Sequence, residues 1–117
     1  LGLGTQDAWL NIVGGLTIDD TATDLAVASA LASSFYERPL KQKILLCGEL
    51  GLTSEVRPIG MIRERLSEAA RLGFDTVLLP GANSSQVNRI KNRSGLPEIV
   101  FVDKLGEALD IALAKAD

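Results

Sequence analysis

Three short apolar runs, Ile44-Leu45-Leu46-Cys47, Phe74 to Leu79 and Ile99-Val100-Phe101-Val102, recur along this chain with helix-patterned segments between them. Each run has the length and the β-branched or aliphatic content of a buried strand. Strands that alternate with helices in this way favour an α/β sandwich with a mainly parallel section.

Local signals supply the remaining elements. Ala8-Trp9-Leu10-Asn11-Ile12-Val13 alternates and closes on Gly14-Gly15, which predicts a first strand and a tight turn, with Trp9 as a packing residue. Thr21-Ala22-Thr23-Asp24 fits a capping box that opens a helix running to Tyr36. The small residues between Leu25 and Ala32 predict that this helix is heavily buried. Pro39 ends it, Lys43 to Cys47 forms the next strand, and Gly51 to Pro58 is an extended arm that pairs with that strand as a hairpin. Past Gly60, Ile62, Leu66, Ala69 and Gly73 fall on helical spacing while Arg63, Glu64, Glu68 and Arg71 fall elsewhere, and Gly73 stops the helix. Pro80-Gly81 ends the strand from Phe74, and Asn83 to Ile90 makes a short polar helix. Pro97 introduces the last strand, and Asp103 caps a final helix that turns Leu105, Leu109, Ala112 and Leu113 inward. The expected order is β-α-β-β-α-β-α-β-α in one domain spanning residues 1–117. A strand so near the start needs neighbours for its edges, so the chain is expected to be a fragment of a longer protein.

With 117 residues, 46% hydrophobic and 23% charged, the chain can bury a core and needs no cross-links. Its 12 basic and 15 acidic residues leave a net charge of -3, so any nucleic-acid contact must be local or shared among subunits. The chain has no histidine, which excludes Ser-His-Asp and Cys-His catalysis and a histidine-ligated zinc. Its single cysteine, Cys47, lies in an apolar run and reads as a small buried hydrophobe, and one thiol fits a reducing compartment. No apolar stretch approaches the ~20 residues of a membrane span, so a soluble chain is expected. No glycine precedes a Lys-Ser or Lys-Thr pair, so this chain is not expected to hydrolyse nucleotide by itself. Asp19-Asp20 reads as compensation of a helix dipole rather than as a metal site.

The candidate binding residues are basic. Arg89, Lys91 and Arg93, interleaved with Asn88 and Asn92, form a cluster suited to phosphate contacts, and Arg63 and Arg71 are weaker candidates. The competing reading of such a cluster is a solvated loop.

The stretch from Gly48-Glu49 through Glu55-Val56-Arg57-Pro58-Ile59-Gly60 to Met61-Ile62-Arg63-Glu64-Arg65-Leu66 resembles the proteolytic domain of Lon proteases, and the resemblance extends from about Leu10 to Leu113. Taken without gaps, it places Ala22 where those proteases carry the nucleophilic serine and Arg65 where they carry lysine. Alanine has no nucleophile and arginine does not deprotonate in proteins, so no peptidase activity is expected. A Lon-like domain without its dyad resembles the C-terminal domain of the RadA (Sms) family of bacterial DNA repair proteins. Val13-Gly14-Gly15-Leu16, Thr23-Asp24-Leu25-Ala26-Val27-Ala28, Ala32-Ser33-Ser34-Phe35 and Gly51-Leu52 carry that resemblance. It implies a Lon-protease-like sandwich of the ribosomal protein S5 domain 2 type, serving as scaffold and DNA-contacting domain of an ATP-driven recombinational repair protein that processes single-stranded or branched DNA. It further implies a bacterial cytoplasmic protein, a hexameric ring with its own ATPase domain, and ATP, magnesium and zinc in that longer protein, with no cofactor or metal in this chain. A Lon-type peptidase with a displaced dyad, and an oligomerisation domain without DNA contact, are the alternatives.

Overall fold

The computed structural model describes residues 21–115. The predicted first strand, Trp9, the glycine turn and Asp19-Asp20 lie outside the described residues. After a 3₁₀ turn at Thr21–Thr23, the elements are α1 (Asp24–Tyr36), β1 (Ile44–Leu46), β2 (Glu49–Leu50), β3 (Val56–Arg57), α2 (Ile62–Arg71), β4 (Thr76–Pro80), α3 (Ser84–Asn88), β5 (Glu98–Val102) and α4 (Leu105–Ala112), with a second 3₁₀ turn at Gly81–Asn83 leading into α3.

The central sheet is parallel in the order β1-β4-β5, with Leu45 opposite Val77 and Leu79 opposite Phe101. Side chains alternate across a strand, so the apolar runs feed two cores. Leu45, Cys47, Val77 and Leu79 pack with Ile62, Leu66 and Ala69 of α2 and Val87 of α3. Ile44, Leu46, Leu78 and Val102 pack on the other side with Leu25 and Ala26 of α1 and Ala108 and Ala112 of α4. β1 is buried along its whole length because both faces carry helices, which is why its sequence shows no polar alternation. Cys47 is buried, as its setting predicts.

The hairpin differs from expectation. Its arms are Glu49–Leu50 and Val56–Arg57, and β1 is a separate strand. Gly48 makes the break: a Cβ there would sit 2.7 Å from the Val56 side chain, and its backbone is bonded to the 3₁₀ turn and to α1, donating to Ala22 O at 2.9 Å and accepting from Leu25 N at 3.0 Å. Two predicted caps are also corrected. Thr23, not Thr21, is the N-cap of α1 and makes no side-chain cap bond, while the Asp24 carboxylate accepts from the Leu50 amide at 3.1 Å and so ties the helix to β2. At α4 the N-cap is Lys104, and Glu107 reaches back to accept from the amides of Asp103 (2.9 Å) and Lys104 (3.0 Å).

The α1 helix is also less buried than its composition implies. Leu25, Ala26, Ser29 and Ala30 face the core, but Val27, Leu31, Phe35 and Tyr36 are exposed. In contrast, α2 follows its pattern. Ile62, Leu66 and Ala69 are buried, full burial of each large aliphatic contributing roughly 2 kcal/mol, and Gly73 takes φ +85° just beyond the C-cap Leu72.

Candidate functional site

The α2 and α3 helices lie on the same face of the sheet, and their cations meet at a groove. Arg63 and Ser67, four residues apart, share one side of α2. Arg89 is the C-cap of α3, and the chain continues through Ile90, Lys91 and Asn92 before Leu96 returns to the core. These seven residues line a groove of 410 Å³. A second hollow of 310 Å³, lined by Met61, Ile62, Arg63, Glu64, Gln86, Arg89 and Ile90, adjoins it through the shared Arg63, Arg89 and Ile90.

The groove's polar groups are almost all donors. Arg63, Arg89 and Lys91 are exposed cations, and among the described residues no carboxylate lines the 410 Å³ hollow. The Asn92 Oδ1 accepts from the Ser94 amide at 3.0 Å, which leaves its NH₂ as the end available to a ligand. Ile90 and Leu96 are half-buried against the core and give the groove an apolar floor. An anionic ligand with a flat apolar part matches this lining.

Asn83, at the start of α3, is fully buried. Its Oδ1 accepts from the Ile59 amide and its Nδ2 donates to the Ile59 carbonyl, both at 2.9 Å. That bidentate clamp pins the turn before α2 to the turn before α3, so the two cation-bearing walls are positioned together.

Of the basic residues singled out in sequence, Arg63, Arg89 and Lys91 converge and two do not. Arg93 lies outside the lining and donates from Nε to the Ile90 carbonyl at 3.5 Å. Arg71 is held by the Glu68 carboxylate one turn back, which lowers the carboxyl's pKa and raises the guanidinium's. The sequence reading did not identify Ser67, Ile90, Leu96 or Asn83. The Arg63–Ser67 spacing was a usable signal for Ser67; Asn83 and Leu96 act only through tertiary contacts.

The structure describes both positions that the Lon resemblance assigns to a dyad. Ala22 is buried at 3% exposure and its carbonyl accepts from Gly48. Arg65 donates from Nε to the Gly60 carbonyl at 2.7 Å, in the turn before α2. Among the described residues, no three His, Cys, Asp or Glu side chains gather as a metal site, and no helix is long and apolar enough to cross a membrane.

Residues 11–115 match the model of the Lon protease (S16) C-terminal proteolytic domain. Relatives include proteins named DNA repair protein RadA. That of Listeria monocytogenes is 41% identical over 113 residues, 97% of this chain and 24% of the relative. Those of Escherichia coli and Bacillus subtilis are each 40% identical over 111 residues, 95% of this chain and 23% of the relative. The chain therefore spans about a quarter of the length of the curated relatives it matches. It belongs to the family of Lon C-terminal proteolytic domains, in the form that the RadA DNA repair proteins carry.

Proposed function

We propose that this chain is a non-proteolytic scaffold and DNA-contacting domain of an ATP-dependent recombinational repair protein that processes branched DNA. One observation carries the reading: Arg63, Arg89 and Lys91, from two helices and a loop, line one hollow that has no carboxylate among the described residues, on a chain of net charge -3. Kinship with DNA repair proteins supports phosphate of a nucleic acid as the anion. Ala22 and Arg65 supply neither nucleophile nor base, which supports the non-proteolytic half. ATP, magnesium and zinc belong to other parts of the longer protein, which acts as a homo-oligomeric, hexameric ring in the bacterial cytoplasm. Three cations per domain bind weakly, and repetition around a ring multiplies them.

The test combines Arg63→Glu, Arg89→Glu and Lys91→Glu in the longer protein. Affinity for single-stranded and branched DNA is then measured by fluorescence anisotropy. Affinity should fall at least tenfold with the assembly intact. Unchanged affinity would replace this reading with a scaffold that does not touch DNA.

A further inference from the structure

The α1 helix carries no charged side chain between Asp24 and Glu37, and a helix that is apolar on every side is one covered on every side. Its inner side meets the core through Leu25, Ala26 and Ala30, while Val27, Leu31 and Phe35, spaced four residues apart, form an exposed stripe along its outer side. Phe35 is 80% exposed, and its ring meets that of Tyr36 edge to face with centroids 5.0 Å apart. Single exposed apolar side chains are ordinary, but a stripe joined to an aromatic pair is a patch of the kind that partners cover.

Tyr36 carries the patch into a hollow of 220 Å³ whose other lining residues are Arg38, Gly106, Leu109, Asp110 and Leu113. The last four fall on one side of α4 and its C-cap, and Gly106, with open space where a Cβ would sit, leaves the hollow unobstructed at its start. Helix C-termini carry partial negative charge, and the last turns Ser33-Ser34-Phe35-Tyr36 and Leu109-Asp110-Ile111-Ala112 hold no basic residue to offset it. Glu37 and Asp110 are exposed and add to it, whereas Arg38 is engaged with the Ala114 carbonyl, to which its Nε donates at 2.8 Å. The hollow therefore attracts a cation whose aliphatic stem rests on Leu109 and the Tyr36 ring.

From this patch we infer a docking face for an amphipathic helix of another protein, whose apolar side covers Val27, Leu31 and Phe35 and whose end places a lysine or arginine in the hollow beside Asp110. A second copy of this chain does not match. Two such faces would oppose Asp110 and Glu37 with their like, and the arginine-bearing helix α2 turns Ile62, Leu66 and Ala69 into its own core. The face lies across the sheet from the groove between α2 and α3, so the inference is independent of DNA contact.

The experiment titrates this chain into a dye-labelled synthetic helix of about 15 residues, near the lower limit for an isolated helix, with leucines along one side and a lysine at each end. A counterpart carries glutamate for both lysines. Fluorescence anisotropy should show the lysine peptide binding at least tenfold more tightly. Phe35→Ser should weaken that binding at least tenfold at an unchanged melting temperature, whereas Leu52→Ser, which removes an exposed leucine of the hairpin, should not. Asp110→Lys should reverse the preference between the peptides. Equal affinity for the two peptides, or full affinity in Phe35→Ser, would overturn the docking face. Loss of self-association in Phe35→Ser by sedimentation velocity would make a second copy the occupant, and nuclear Overhauser contacts from the Phe35 ring to residues 1–20 would make it the chain's own start; either result would overturn the inference.

Discussion

Two side chains show how much single residues decide here. Asn83 satisfies both backbone groups of Ile59 from a fully buried position. Asn83→Ala leaves two inward-facing groups without partners and should cost about 2–4 kcal/mol in urea unfolding. Asn83→Asp keeps the acceptor but turns a second oxygen on the Ile59 carbonyl, so it should also destabilise, and increasingly as pH rises; a stable Asp variant at neutral pH would contradict the clamp. Glu55 organises the hairpin tip. Its carboxylate accepts from the Thr53 hydroxyl (2.7 Å) and amide (3.0 Å), lies 3.5 Å from Arg57, and occupies the space a Cβ on Gly51 would need. Chiefly the Thr53 hydroxyl, then backbone amides, hold its pKa at about 2, below the ordinary 4.5. A depressed carboxyl stabilises the fold above its unfolded value and loses that contribution as pH falls through the folded one. Parent and Glu55→Gln should therefore differ at neutral pH and converge between about pH 4.5 and 2; a constant difference across that window would refute the assignment.

At the scale of elements, α2 and the strands β4 and β5 were legible because their signals are periodic or compositional. Ile62, Leu66 and Ala69 repeat at helical spacing before Gly73. Thr76–Pro80 and Glu98–Val102 are apolar runs edged by proline or glycine, and the structure moves their bounds by one or two residues. The hairpin's true arms, the Asp24–Leu50 bond and the Asn83 clamp were not legible, since each depends on segments distant in sequence meeting in space. The groove was half legible: charge spacing flagged Arg89 and Lys91, whereas Arg63's role depends on α2 lying beside α3. The α1 helix misled because small residues describe only its packed side. On that side Ser29 is fully buried, and its hydroxyl has no hydrogen-bond partner among the described residues. Ser29→Ala should raise stability by about 1 kcal/mol, the desolvation cost of that hydroxyl. A lowered melting temperature would show that the hydroxyl has a partner in solution.

On the scale of the whole molecule, an acidic chain gains little DNA affinity from net charge, so binding must scale with occupancy of the groove between α2 and α3. Casein and fluorogenic peptides should show only background turnover, and cleavage that survives repurification and disappears in Thr21→Val or Thr23→Val would restore a peptidase. By sedimentation velocity, this chain alone should assemble weakly or not at all, whereas the longer protein should form a ring. A strictly monomeric longer protein under all nucleotide conditions would contradict the ring. The most direct measurement is the slope of log affinity against log salt for single-stranded DNA, compared between this chain and its Arg63→Gln, Arg89→Gln, Lys91→Gln variant. Each phosphate contact contributes about 0.7 to that slope on single strands, so three lost contacts should flatten it by roughly two units per bound domain. An unchanged slope in a folded variant would mean that phosphate is held elsewhere, and that the groove between α2 and α3 is not the DNA contact.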